Sequence, residues 1–183
     1  MLKHKDQRVG VFVDVQNMYY TARNLYGARA NFGAILTAAV SDRKLIRAIA
    51  YVIKAEAPEE AKFFEALGKQ GFELKSKDLQ VFAGGAKKGD WDVGLAIDAI
   101  SMAPKLDVVV LVTGDGDFVP LVQFLQFLGL KVEVIAFKET TSQKLIEQVD
   151  EFFDLASGSD IFTIRSSKAQ ATRGLGRSIK RNN

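Results

Sequence analysis

The chain has 183 residues, 48% of them hydrophobic and 10% aromatic, which is enough to bury one core of ordinary domain size. It contains no cysteine and a single histidine, His4, in a polar N-terminal stretch. These counts exclude disulfides and a thiolate zinc site within this sequence, and they argue against histidine-based catalysis.

The net charge of +3 is unevenly distributed along the chain. Residues 161–183 hold six basic side chains and no acidic one, so residues 1–160 carry a small net negative charge. From Ser166 onward the tail is poor in apolar residues, which is typical of a flexible arm that either contacts nucleic acid or only aids solubility. We therefore predict a domain over 8–160 followed by a basic tail over 161–183.

Apolar, β-branched runs alternate with amphipathic segments in chain order. Predicted strands lie at 8–15, 44–53, 72–83 (one strand or a close pair), 106–113 and 131–137. Predicted helices lie at 18–26, 57–71, 91–103 and 118–129. This alternation predicts an α/β fold, a three-layer α/β/α sandwich with a mostly parallel central sheet.

No stretch of the sequence resembles a signal peptide, and no apolar run approaches about 18 residues. We therefore expect a cytoplasmic protein with no membrane partner. The sequence leaves open whether the chain forms a homo-oligomer.

Four aspartates stand where the predicted strands meet their neighbouring helices. Asp14 closes the first strand, Asp115 and Asp117 follow the strand 106–113, and Asp92 begins the helix before that strand. Ligands of such sheets bind outside the carboxyl ends of the strands, so neighbouring strands would bring all four carboxylates to one edge. Their repulsion calls for a cation, and the all-oxygen donor set predicts Mg²⁺ or Mn²⁺.

Each aspartate also has a purely structural interpretation. Asp117 and Asp92 could each cap the helix that follows. Asp115 lies between two glycines, and shaping a turn could be its sole role. Asp14 is the hardest to explain in this way, because a carboxylate at a buried strand end with no basic partner seldom stabilises a fold.

Other polar residues of these segments have two interpretations each. Asn17 either caps the helix 18–26 or orients Asp14 or the substrate, and Asp98 is either a supporting site residue or an ordinary surface acid. Lys87 and Lys88 either contact a phosphate backbone or lie on a solvated loop. Two aromatic residues that each stand next to one of the four aspartates are interpreted as core residues, with base stacking as the alternative: Trp91 and Phe118.

Three segments, in this order, resemble the motifs of the LabA-like NYN domain, a branch of the PIN-like metal-dependent nuclease superfamily. They are "FVDVQN" (12–17), "KKGDWDVGLAIDA" (87–99) and "VTGDGDFVPLV" (112–122). The resemblance covers 9–156 and includes "ETTSQKLIEQVDEFFDL" (139–155), although Val15 stands where the family commonly has Gly or Ser.

The resemblance implies a PIN-like, Rossmannoid fold and a metal-dependent nuclease acting on RNA, with single-stranded RNA favoured. The metal site would consist of Asp14, Asp92, Asp115 and Asp117, supported by Asn17 and Asp98. The alternative is an RNA-binding or regulatory adaptor that keeps the acidic site without turnover.

Two other enzyme classes place acids at strand ends and fit less well. They are Toprim nucleotidyl-transfer sites and haloacid dehalogenase-type phosphatases. The phosphatase pattern requires a second aspartate two residues after the first, and Gln16 occupies that position.

Overall fold

In the computed structural model, a parallel sheet of six strands forms the centre of the fold. The structure describes residues 4–54, 60–81 and 87–164, without the side chains of residues 80, 81, 87 and 88. The strands are β1 (Arg8–Asp14), β2 (Arg29–Ala30), β3 (Lys44–Lys54), β4 (Glu73–Asp78), β5 (Gln80–Val81), β6 (Lys87–Lys88), β7 (Val108–Val112), β8 (Lys131–Ala136), β9 (Glu151–Asp154) and β10 (Thr163–Ile164). The helices are α1 (Val15–Tyr26), α2 (Phe32–Val40), α3 (Glu60–Lys69), α4 (Asp92–Met102), α5 (Val119–Phe127), α6 (Gln143–Gln148) and α7 (Ser159–Phe162).

The strand order in the central sheet is β4-β3-β1-β7-β8-β9, and every pairing in it is parallel. The chain proceeds outward from β1 through β3 to β4, returns to β7 beside β1, and continues to the other edge. Right-handed connections therefore place α1–α3 and α4–α6 on opposite faces of the sheet, while α7 packs beside α2. The predicted three-layer α/β/α fold is confirmed, and the reversal of strand order lies between β1 and β7.

The apolar sequences of β7 and β1 suit these two strands to the middle of the sheet. All five residues of β7 are buried, as are the five central residues of β1. Because helices cover both faces, such strands consist of continuous apolar runs and show no alternation.

Among the elements that were not predicted from the sequence are α2 and β9. The sequence of α2, "FGAILTAAV", is short and almost wholly apolar, so its periodicity does not distinguish a helix from a strand. The edge strand β9 has four residues, none fully buried, and it is recognised as a strand mainly by its pairing with β8.

The described fold continues to Ile164, because β10 pairs antiparallel with β2. The rest of the predicted basic tail, from residue 165 onward, lies outside the described residues. Within the described ranges, no helix has the length and apolar character needed to cross a membrane.

A buried ion pair connects the end of α2 with the middle of β8. The Arg43 guanidinium donates to both carboxylate oxygens of Glu133 at 2.8 Å, and the two side chains are 1% and 5% exposed. Arg43 also donates to the backbone carbonyls of Ala39 and Val40 in the last turn of α2. Lys131 adds a second cation, 2.7 Å from Glu133. This cluster joins a helix of one outer layer to the central sheet.

Candidate metal centre

The first and third predicted motifs meet at the carboxyl edge of the sheet. β1 pairs directly with β7, with Val13 opposite Val112. Asp14 therefore leaves the sheet beside the turn that carries Asp115. This is the place where the strand order reverses, which is where ligands bind in sheets of this kind.

Hydrogen bonds hold the two turns together. The Asp14 carboxylate caps α1 by accepting from the backbone N–H of Asn17 at 3.0 Å, and the Thr113 hydroxyl lies 3.4 Å from its other oxygen. Asn17 in turn accepts from the backbone N–H of Gly114 at 3.1 Å. The hydroxyl of Thr113 accepts from the N–H of Asp115 at 3.2 Å. Asn17 thus caps no helix with its side chain, and it connects the two turns instead.

Two glycines shape the turn around Asp115, and its carboxylate accepts from the backbone N–H of Asp117 at 2.9 Å. A Cβ atom on Gly116 would lie 2.6 Å from the hydroxyl oxygen of Ser142, and one on Gly114 would also meet this loop. The glycines therefore allow the turn to pack closely against the loop after β8.

The capping interpretation also fails for the two aspartates to which it was applied, Asp92 and Asp117. Trp91 occupies the N-cap position of α4 and Phe118 that of α5, and neither helix has a side-chain cap hydrogen bond. Side-chain caps are found elsewhere in the site, where Asp14 caps α1 and Asp115 caps the short 3-10 turn 116–118. Helix capping therefore does not explain Asp92 or Asp117.

The carboxylates influence one another electrostatically. Burial raises the pKa of Asp14 to about 6, and the charges of Asp92 and Asp115 add to this effect against the opposing backbone hydrogen bond. The pKa of Asp92 is also raised, first by burial and then by neighbouring carboxylates that include Asp115 and Asp117. Lys77 opposes that shift. These electrostatic effects thus connect Asp92 with each of the other three predicted ligands.

The chemistry of these donors fits a hard divalent cation, since all of them are carboxylate oxygens. Across residues 4–54, 60–81 and 87–164, no three His, Asp or Glu side chains are already arranged to hold a metal ion. The described carboxylates thus repel one another and do not form a ready-made coordination site.

Asp98 lies on α4 with different neighbours. Its carboxylate accepts from the Tyr51 hydroxyl at 2.8 Å and forms an ion pair with Lys75 at 2.7 Å. Burial and this hydrogen bond raise the pKa of Tyr51, so the phenol remains a donor. Both carboxylate oxygens of Asp98 thus have partners within the chain.

A lysine not predicted as a site residue lies beside Asp92. Lys77, exposed on the edge strand β4, places its ammonium 4.8 Å from the centre of the Trp91 ring and donates to the backbone carbonyl of Asp90. Trp91 packs against Tyr51 and donates its indole N–H to a strand carbonyl, so it supports the structure, and Phe118 is buried. The sequence "LKSKD" contained a signal for this lysine. A strand directs side chains two residues apart to the same face, so Lys75 and Lys77 point to one side of β4.

The predicted phosphate contacts Lys87 and Lys88 form β6, which pairs antiparallel with β5. Their side chains lie outside the described residues.

Comparison with known proteins identifies the family. The sequence model of the NYN domain matches residues 8–157, which includes every predicted acidic site residue. The chain belongs to the NYN domain family. The resemblance seen in the three motifs is thereby confirmed.

Two known proteins are similar to most of this chain. The "Low amplitude and bright protein LabA" of Synechococcus elongatus is 23% identical over 159 residues, covering 82% of this chain and 85% of that protein. A protein of unknown function from Vibrio parahaemolyticus, whose crystal structure is known, is 36% identical in sequence to this chain. It superimposes with a TM-score of 0.80 over 90% of this chain and 100% of that one.

Proposed function

We propose that this NYN domain is a metal-dependent nuclease that hydrolyses phosphodiester bonds in RNA, with single-stranded RNA as the preferred substrate. The observation that carries the proposal is the meeting of Asp14 and Asp115 at the strand-order reversal, with the charge of Asp92 acting on Asp14 and that of Asp115 acting on Asp92. Carboxylates that repel one another in this way are suited to a divalent cation and unfavourable without one.

The proposed ligands of Mg²⁺ or Mn²⁺ are Asp14, Asp92, Asp115 and Asp117. A divalent cation bound there supplies charge stabilisation to a phosphodiester and lowers the pKa of a bound water. Asp14 is oriented for this role by the Asn17 N–H and the Thr113 hydroxyl. Asp117 is the most exposed of the four, which favours it for orienting the attacking water.

Asp98 acts indirectly in this proposal. Its carboxylate accepts hydrogen bonds from Tyr51 on β3 and Lys75 on β4, and these contacts hold α4 against the two strands. We assign it as a positioning residue that keeps Asp92, on the same helix, at the edge of the sheet.

A direct test uses purified protein and labelled single-stranded RNA and DNA, with Mg²⁺, Mn²⁺ or EDTA. We expect RNA to be cleaved with either metal and not in EDTA. Asp115→Asn should lose this activity, whereas Asp107→Asn should keep it, because Asp107 stands at the opposite end of the same strand. Cleavage that persists in Asp115→Asn would assign the activity to another site or to a contaminant.

Lys77 is the proposed contact to the phosphate backbone next to the site. Lys77→Met should weaken RNA binding about fivefold, the equivalent of about 1 kcal/mol. The slope of log affinity against log salt should fall by about 0.7, the contribution of one phosphate contact on a single strand. Anisotropy titrations at several salt concentrations measure both effects.

Lys69→Met is the matched control, since it removes an exposed lysine from α3 that pairs with Glu65 in its own helix. Lys77→Arg should retain most of the binding. If the Lys77 and Lys69 variants gave the same salt slope, Lys77 would have no role in binding RNA.

A non-catalytic RNA-binding adaptor is the second candidate. Such an adaptor would retain the acidic residues and bind RNA without hydrolysing it. In that case the RNA assay would show binding that depends on Lys77 and no cleavage with either metal.

A further inference from the structure

An apolar groove begins at two of the proposed metal ligands. It has a volume of about 360 Å³ and lies between α4 and α5. Its walls are formed by Val93, Ala96 and Ile100 on α4 and by Pro120, Leu121 and Phe124 on α5. These spacings place each set on one face of its helix.

The walls of the groove are accessible to a ligand. Val93 is 70% exposed and Phe124 is 43% exposed. Single exposed apolar side chains are common, but a contiguous apolar groove beside a polar site usually binds something.

The charges at one end of the groove restrict its occupant. Asp92 and Asp117 line the groove together with the apolar walls. A wholly apolar segment of another protein would cover these carboxylates without neutralising them, which is unfavourable. A nucleotide would meet both requirements, because its base is flat and uncharged while its phosphate would bind the divalent cation proposed for the carboxylates.

We propose that the groove binds one unpaired nucleobase next to the phosphate at the metal centre, with Phe124 as the stacking surface. The proposal rests on the function proposed above and adds a base-binding subsite to it. The volume is at the lower end of the range for small-ligand pockets, so one base fits better than a longer segment.

The test measures binding of a labelled single-stranded oligoribonucleotide and of versions that each lack one base. Titrations are carried out in Ca²⁺ and in EDTA. An abasic site at one position should weaken binding to the wild-type protein about 5- to 150-fold, which corresponds to the stacking of one base. Abasic sites at distant positions should have a small effect.

Phe124→Ala should weaken binding of intact RNA to a similar extent and should cause no further loss with the abasic RNA, because both changes remove one interaction. Phe127→Ala is the matched control: Phe127 is 84% exposed on the same helix but does not line the groove. It should bind both RNAs as the wild type does. Melting temperatures confirm that both variants are folded.

Three results would overturn the inference. They are equal binding of all abasic RNAs, equal losses in the Phe124 and Phe127 variants, and conversion of a wild-type dimer to a monomer by both variants with base discrimination unchanged. The last result would identify the groove as a contact between copies of the chain. Base-dependent binding without cleavage would refute only the nuclease proposal, and cleavage that ignores the missing base would refute only the subsite.

Discussion

Asp14→Asn should abolish RNA cleavage and at the same time stabilise the protein at neutral pH. Loss of one carboxylate ligand should reduce the cleavage rate by about 10³-fold or more, since charge stabilisation by a bound cation is worth several kcal/mol. Asn still accepts the hydrogen bond that caps α1, so the helix start should be retained.

The stability gain follows from the raised pKa of Asp14. An aspartate ionises near 3.8 when unfolded and near 6 in this site, so the folded state disfavours the carboxylate. The resulting penalty is absent below about pH 4, grows as the pH rises through 6, and reaches at most about 3 kcal/mol above it. Asp14→Asn removes the ionisable group and should remove this dependence.

Urea denaturation of metal-free protein between pH 4 and 8 checks the expectation. The stability difference between Asp14→Asn and the wild type should increase from pH 4 to 7 and then remain constant. Mg²⁺ or Mn²⁺ should stabilise the wild type and have much less effect on the variant. Parallel curves for the two proteins across this range would show that Asp14 is not the titrating group.

Glu133→Gln should destabilise the fold strongly, by about 3–5 kcal/mol. It leaves the Arg43 guanidinium buried with a neutral partner, and a buried charge without its counterion is strongly unfavourable. The backbone carbonyls at the end of α2 offset only part of this loss.

Asp107→Asn provides the contrast. Arg8 and Asp107 also form a bidentate ion pair, but their side chains are 43% and 41% exposed. Water screens such a pair, so its loss should have a much smaller effect than that of the buried pair. Urea denaturation at pH 7 measures the loss of stability in both variants. The midpoints can be compared directly if the m-values, the slopes of unfolding free energy against urea concentration, are equal. Similar losses in the two variants would contradict the importance of burial.

Local patterns in the sequence were sufficient for the strands that line the site. The run "VVVLV" indicated a strand covered on both faces, and the structure buries all five residues. Asp14 ends one such strand and Asp115 follows the other, and parallel strands direct their carboxyl ends to one edge. The motifs also indicated the family, which the match over residues 8–157 confirmed.

Only the tertiary structure decided which groups share a neighbourhood. The pairing of β1 with β7 depends on the packing of helices from distant parts of the chain, and hydrophobic periodicity, which is a local property, does not encode it. The same reason applies to Lys77, whose position beside Trp91 depends on the docking of β4 against α4. It applies also to the partners of Asp98, which come from two other strands. The sequence by itself thus determined the family and predicted a carboxylate-rich site at one edge of the sheet, and long-range packing determined which side chains surround it.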